Sequence, residues 1–328
     1  MTLSTKLPYH ATAFIVTTTL HHTPEPRMSA HGVSTRRLTA CDGASVKAYV
    51  LARVTMDEAM FFLDPLRRYG MVSAHATVFG GYDDDDTMIG AMLLSGDNCY
   101  VVWNQREIVP LLTNILRTEY ANVRISGLTW LSEPVLAQFA EEELAWRQQG
   151  TTCALTKHSL QSIQYQPTRR ATLADVPSII ELERRVMAHD QDQSLVTVAR
   201  QKIVQERITT YTAYIAEVGK KVVAVAYTDI EIPQAAHVCE VATDPAYRNQ
   251  GFGAACVAAL CADLLNRVER IFLTYADNNT AAARTYRKIG FIPWSRRQRA
   301  QLVLGACNPA GRSETHARKS GDALRAAA

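Results

Sequence analysis

The sequence predicts a mixed α/β protein whose strands form a mixed sheet, arranged as two successive units. Three observations predict it. Short β-rich runs alternate with amphipathic helical runs in both halves. The length, 328 residues, is long for one core and suits two. Between Val238 and Ala254 a β-rich run turns through Pro245, Gly251 and Gly253 into a long apolar helix pattern.

That last feature is a phosphate site by physical argument. Glycines let the backbone approach an anion, and the unpaired N–H groups of a first helical turn point at it. No Lys-Ser/Thr pair follows the glycines, and their spacing is not that of a dinucleotide fingerprint. The helix after the turn has apolar residues at Val257, Leu260, Cys261, Leu264, Leu265 and Val268, one buried face. A strand over 271–276 comes next. Asn278 and Asn279 then open a helix over 280–289, which Gly290 ends.

The run Arg248-Asn249-Gln250-Gly251-Phe252-Gly253 resembles the pyrophosphate loop, Arg/Gln-x-x-Gly-x-Gly/Ala, of the GNAT superfamily of N-acetyltransferases. Asn279, Ala282, Tyr286, Gly290 and Phe291, about forty residues on, match that family's second signature in spacing and order. The resemblance implies a GNAT acyl-CoA N-acyltransferase fold and acetyl-CoA as acyl donor, with no metal. It implies that Arg248, Asn249, Gln250, Gly251, Phe252, Gly253 and Ala254 hold the pyrophosphate. It also implies that the strand before the loop diverges from its neighbour, so that Val241, Ala242 and Thr243 bind the pantetheine arm.

Transfer to an amine needs a held thioester, a deprotonated nucleophile and a proton for the leaving thiolate. The resemblance places Tyr286 beside the sulfur as general acid, the alternative being a helix-face tyrosine in the core. Asn279 either bonds the cofactor arm or caps its helix. The general base is open between His237, Glu240 and a group elsewhere or solvent. A neutral imidazole suits the task near pH 7. Simple alternation puts Glu240 on the other face from His237 unless a bulge turns it, and Glu240 is equally an ion-pair partner. Cys239 lies on the same strand, but the family transfers directly.

Along the chain, residues 1–44 are rich in Thr, His, Ser and Pro and read as a loosely ordered extension, with Met1 or Met28 as the start. Residues 45–70 read as helical. Strands over 77–82 and 88–94 flank Asp83, Asp84, Asp85 and Asp86, a hairpin turn rather than a cation site. A strand over 100–103, a helix over 106–120, a strand over 123–125, a helix over 133–147 and a strand over 153–156 follow. That order is the order of a GNAT fold without the glycine loop. Residues 45–162 therefore resemble a degenerate GNAT-like domain ahead of a catalytic one, 163–305. In the second half, 169–175 opens a strand and helix; helices over 176–187 and 195–207 and strands over 212–217 and 221–230 follow. Residues 306–328 are Ala/Gly/Ser-rich and read as a disordered tail.

Bulk properties bound the rest. An apolar content of 47% allows a full core, and a net charge of +3 speaks against nucleic acid as a partner. Seven scattered cysteines without a C-x-x-C read as reduced thiols in a cytoplasm. No run is long and apolar enough to span a membrane, and Thr-rich 11–20 is a poor signal sequence. The reading is a cytoplasmic N-acetyltransferase, monomer or homodimer, acting on a small-molecule or protein amine. The alternatives are an acyl-CoA-binding sensor or scaffold without turnover, and an aminoacyl-type transferase.

Overall fold

The computed structural model describes residues 28–304 apart from 31, 72, 74, 163–165 and 190–197. The chain opens with the strands β1 (Met28–Ala30) and β2 (Val33–Arg37), then the helices α1 (Gly43–Arg53) and α2 (Met56–Tyr69). The strands β3 (Ala76–Asp83), β4 (Met88–Ser95) and β5 (Asn98–Trp103) precede α3 (Val109–Glu119), β6 (Asn122–Leu128), α4 (Thr129–Leu136) and β7 (Leu144–Leu155). The same order then recurs: β8 (Arg169–Arg170), α5 (Val176–His189), α6 (Val198–Thr210), β9 (Ala213–Val218), β10 (Lys221–Ile232), β11 (Ala235–Thr243), α7 (Phe252–Leu264), β12 (Arg270–Ala276), α8 (Thr280–Ile289) and β13 (Ile292–Val303).

All thirteen strands form one sheet in the order β1-β2-β3-β4-β5-β6-β13-β7-β12-β11-β10-β9-β8. In each half, four antiparallel strands, β2 to β5 and β8 to β11, lead to a parallel neighbour, β6 and β12. This is a mixed α/β architecture with one topology repeated. The halves interlock at the centre. β13 lies between β6 and β7, so a ladder crosses any cut near 162. β7 in turn pairs with β12. Helix α2 packs on the second half, where Met60 and Phe61 share a core with Ile230, Ile232, Ala235 and Phe272. Arg297 of β13 bonds the buried Glu58 of α2 at 2.6 Å.

Several sequence expectations change. The helix expected over 45–70 is two, because Val54 and Thr55 are extended and break it. Strands β1 and β2 lie inside the segment expected to be loose. Of the helix expected over 133–147 only the end of the short α4 is helical; Glu141–Glu143 form a single 3-10 turn and 144–147 open β7. Helix propensity over 144–147 yields to the ladder with β13. No element was expected over 292–303, where strand β13 lies. Polar residues of β13 are buried where partners meet them: Arg297 donates to Glu58, and Gln298 donates to Ser132 and accepts from Arg147. The acidic run is a turn, with Asp83 Oδ1 accepting from the Asp85 and Thr87 amides. Residues 1–27, with His21 and His22, and the tail 306–328 lie outside the described residues.

Gly290 closes α8 at φ +110°, and a Cβ there would overlap the Ser159 carbonyl oxygen. Gly290→Ala is therefore expected to cost about 2 kcal/mol or more, read as a lower urea midpoint at an unchanged slope.

Candidate acyl-coenzyme A site

The site begins where two strands part. β11 and β12 pair in parallel from Ala235↔Arg270 to Val238↔Leu273 and no further. Beyond that point β12 continues along β7 to Ala276↔Gly150, while β11 stays with β10 through Ala242 and Thr243. The backbone of residues 239–243 thus has one edge open toward the gap. A bulge drives the divergence. The β10–β11 register slips by one residue between Tyr227↔Cys239 and Val225↔Ala242, and Glu240 sits at φ +42°.

The loop after β11 leads into α7. Asn249 and Gly251 adopt positive φ, +62° and +86°, and Gly251 is the N-cap. The first closed helical bond is Ala255 N–H to the Gly251 carbonyl at 2.9 Å. The N–H groups of Phe252, Gly253 and Ala254 therefore have no helix carbonyl to serve and point out of the helix start. A Cβ on Gly253 would stand 2.6 Å from Thr243 Oγ1, so the glycine lets the helix start lie against the strand end without moving that side chain. The Arg248 Nε reaches the Thr243 carbonyl at 3.4 Å, which brings the guanidinium to the same mouth. Gln250 is tied down, its amide donating to the Ala246 carbonyl and its carbonyl accepting from Gln166. The structure thus brings Val241, Ala242, Thr243, Arg248 and residues 249–254 into one continuous edge.

Tyr286 lies on α8 among apolar residues, against Tyr275 of β12 and Phe291, with ring centroids 6.1 and 5.9 Å away. Burial, reinforced by the nearby thiols of Cys261, Cys153 and Cys239, pushes its hydroxyl well above the ordinary tyrosine value. It stays protonated at neutral pH, the form a proton donor requires. Asn279 is the N-cap of α8, accepting from the Ala282 amide at 2.9 Å. Its side-chain oxygen is occupied by capping rather than held open for a ligand.

His237 stands on the last fully paired stretch of β11. It is 8% exposed. Its Nδ1 lies 2.7 Å from Asp229 Oδ1, and Nε2 has no partner among the described residues. Burial alone would raise the Asp229 carboxyl, but His237 and Arg207 outweigh it and hold it below its usual range. An ionised Asp229 assigns the proton to Nδ1 and leaves Nε2 as an acceptor. Phe61 of α2 packs its ring edge-on at 4.9 Å.

Glu240 is an ion-pair anchor. Its carboxylate meets Arg200 at 2.5 Å and Arg207 at 2.9 Å, both from α6. Burial would raise its carboxyl, but the two guanidinium groups win and lower it. Both oxygens are engaged, and the two guanidinium groups favour the ionised, less basic form, which argues against Glu240 as the base. The bulge also turns it to the face that Cys239 and Ala242 share, against the expectation from alternation. The Cys239 thiol is pushed far above its ordinary value by burial and is no thiolate nucleophile at neutral pH.

Sequence reasoning missed Asp229, Arg200, Arg207 and Phe61. Regular pairing across the hairpin at Pro233 and Gln234 sets Ile230, not Asp229, opposite His237. A second slip, between Thr228 and Ile230, brings Asp229 to the imidazole. Phe61 comes from the other half of the chain and carries no local signal.

Strands that diverge beside a glycine-capped helix, within a twice-repeated mixed sheet, define the GNAT acyltransferase fold. Residues 176–291 match the sequence model of the acetyltransferase (GNAT) family. Solved structures extend the fold likeness to most of the chain. A GCN5-related N-acetyltransferase from Sphaerobacter thermophilus aligns at 12% identity and TM-score 0.61, covering 85% of this chain and 98% of its own. A GNAT-family acetyltransferase from Colwellia psychrerythraea aligns at 12% identity and TM-score 0.56, covering 82% and 99%. A tandem GNAT protein from the clavulanic acid biosynthesis pathway aligns at 14% identity and TM-score 0.55, covering 84% and 99%. No curated protein sequence matches the chain.

Glu240→Gln is expected to destabilise by about 1–3 kcal/mol, since two guanidinium groups lose their counter-charge at a site still partly open to solvent. Because the folded carboxyl is depressed, its stabilising contribution is full above the unfolded value of 4.5 and is lost as pH falls through the folded value. Urea midpoints between pH 7 and pH 3 should therefore fall less steeply in the variant than in the wild type.

Proposed function

We propose that the protein is an acetyl-CoA-dependent N-acetyltransferase working by direct transfer. The observation that carries this is the parting of β11 and β12 beyond Val238 and Leu273, with the start of α7 after β11 and Tyr286 packed against Tyr275 of β12. The α7 N–H groups and Arg248 offset the pyrophosphate charge. The free edge of Val241, Ala242 and Thr243 takes the pantetheine arm as a short strand would. An N–H of the bulged strand polarises the thioester carbonyl.

In the reaction the amine lone pair attacks the thioester carbon, and the ammonium proton passes to His237 Nε2, directly or through water. The tetrahedral carbon then expels the thiolate, which takes the Tyr286 hydroxyl proton. Asp229 holds the imidazole in the basic tautomer and offsets the imidazolium that forms. Expulsion is the step that Tyr286 eases, because a buried neutral phenol lies on the side opposite His237. The unpaired cysteines are consistent with a reducing compartment, and cytoplasmic action is part of this reading. No helix among the described residues is long and apolar enough to cross a membrane.

Thiol release from acetyl-CoA over a panel of primary amines tests the reading. Tyr286→Phe should lower kcat by about tenfold to a hundredfold with acetyl-CoA affinity retained, and His237→Gln should lower kcat/KM by about a hundredfold or more. Acetyl-CoA binding without turnover on any amine would instead favour the sensor or scaffold.

A further inference from the structure

The wall that carries His237 continues into a row of arginines with too few acids. Arg297 and Arg299 alternate on one face of β13, and no register slip separates them. Across the β13–β6 ladder, Arg124 lies opposite Gln301, on that same face. Only Arg297 is neutralised locally. It bonds Glu58 at 2.6 Å and lies over the Phe61 ring at 4.1 Å. Arg299, half-buried, has no hydrogen-bond or ion-pair partner among the described residues. The Nε of Arg124 is buried and likewise unpartnered. Phe61 joins this row to the base, because the ring under Arg297 is the ring against His237. It also stacks on Tyr100 at 5.5 Å, and Tyr100 keeps its hydroxyl proton because burial raises it to about 12.

Two half-buried guanidinium groups side by side repel each other and lose hydration. Burial, and then the charge of Arg124, lower the pKa of Arg299, with Tyr100 and Asp229 within its field. Asp229 is engaged by His237, and Glu58 by Arg297. The remaining need is for an anion from outside, and a planar guanidinium matches a carboxylate or phosphate in two-pronged geometry.

We propose that the acceptor is an amine that carries an anionic group, a carboxylate or a phosphate-like group, seated on Arg299 and Arg124 with its amino end toward His237. This rests on the acyltransferase reading above and names its substrate class. Tyr100 supplies a neutral donor between the anion and the amine.

Matched acceptors test it: L-phenylalanine against 2-phenylethylamine, L-leucine against 3-methylbutylamine, and 1-aminoethylphosphonate against L-alanine. The acid of each neutral–acid pair should have a kcat/KM at least about tenfold higher. The last pair decides between carboxylate and phosphonate. Arg299→Met should bring that ratio to near one through KM rather than kcat, with Arg299→Lys between it and the wild type. Arg124→Met serves as the second variant should Arg299→Met fail to fold, judged by thermal melting and acetyl-CoA affinity. Neutral amines as good as their acids, or a ratio unmoved in either methionine variant, would overturn the proposal. Calorimetry of the same acids and amines with the CoA-bound protein separates this from failure of the enzyme reading. Binding of the acids alone, weakened in Arg299→Met, supports the anion site even without turnover, and binding of neither class refutes it.

Discussion

The parting of β11 and β12 depends on one strained residue. Glu240 holds a left-handed backbone, φ +42°, in the middle of a strand. Such a conformation costs about 1–3 kcal/mol in a non-glycine residue and persists only when its surroundings fix it. Arg200 and Arg207 fix it by gripping the carboxylate from α6, and Glu183 steadies Arg200 in turn at 2.8 Å. The bulge so held turns β11 away from β12 and leaves a backbone edge without a strand partner. Without it, the parallel ladder would continue past Val238 and close the gap. The ion pairs give Glu240 a structural task, holding the backbone that they bend.

The second constraint is that neither half completes its own sheet. β13 fills the first half between β6 and β7, and β7 extends the second half beside β12. A wall of the site is consequently built by both. His237 is packed by Phe61 from α2, and the arginine row on β13 stands on strands of the first half. A half without a glycine loop still contributes part of the wall around His237.

Much of this was legible in the sequence, and the failures share one cause. Gly251 and Gly253 announced a helix start close to a strand end, because few other uses of two such glycines fit the surrounding pattern. Tyr286 and Asn279 were singled out by the resemblance to the GNAT family's second signature, and the cap role of Asn279 was among the readings offered. What local pattern could not supply was long-range. Strand β13 carries no local signal because the partners of Arg297 and Gln298 lie more than 150 residues away. Asp229 reaches His237 only because a slip in the β10–β11 register overrides simple hairpin counting. The start of β7 hides in a helix-prone run because its ladder with β13, not its own propensities, decides its state.

The most direct measurement is a calorimetric titration of acetyl-CoA into the wild-type protein and into an Arg248→Glu, Gly251→Asp variant shown to be folded. The account predicts micromolar affinity for the wild type and its loss in the variant, since a carboxylate at the start of α7 repels the pyrophosphate. No binding at millimolar acetyl-CoA, or equal affinity in the variant, would contradict it. The opening between β11 and β12 would then be a feature of the fold without an acyl-CoA to hold.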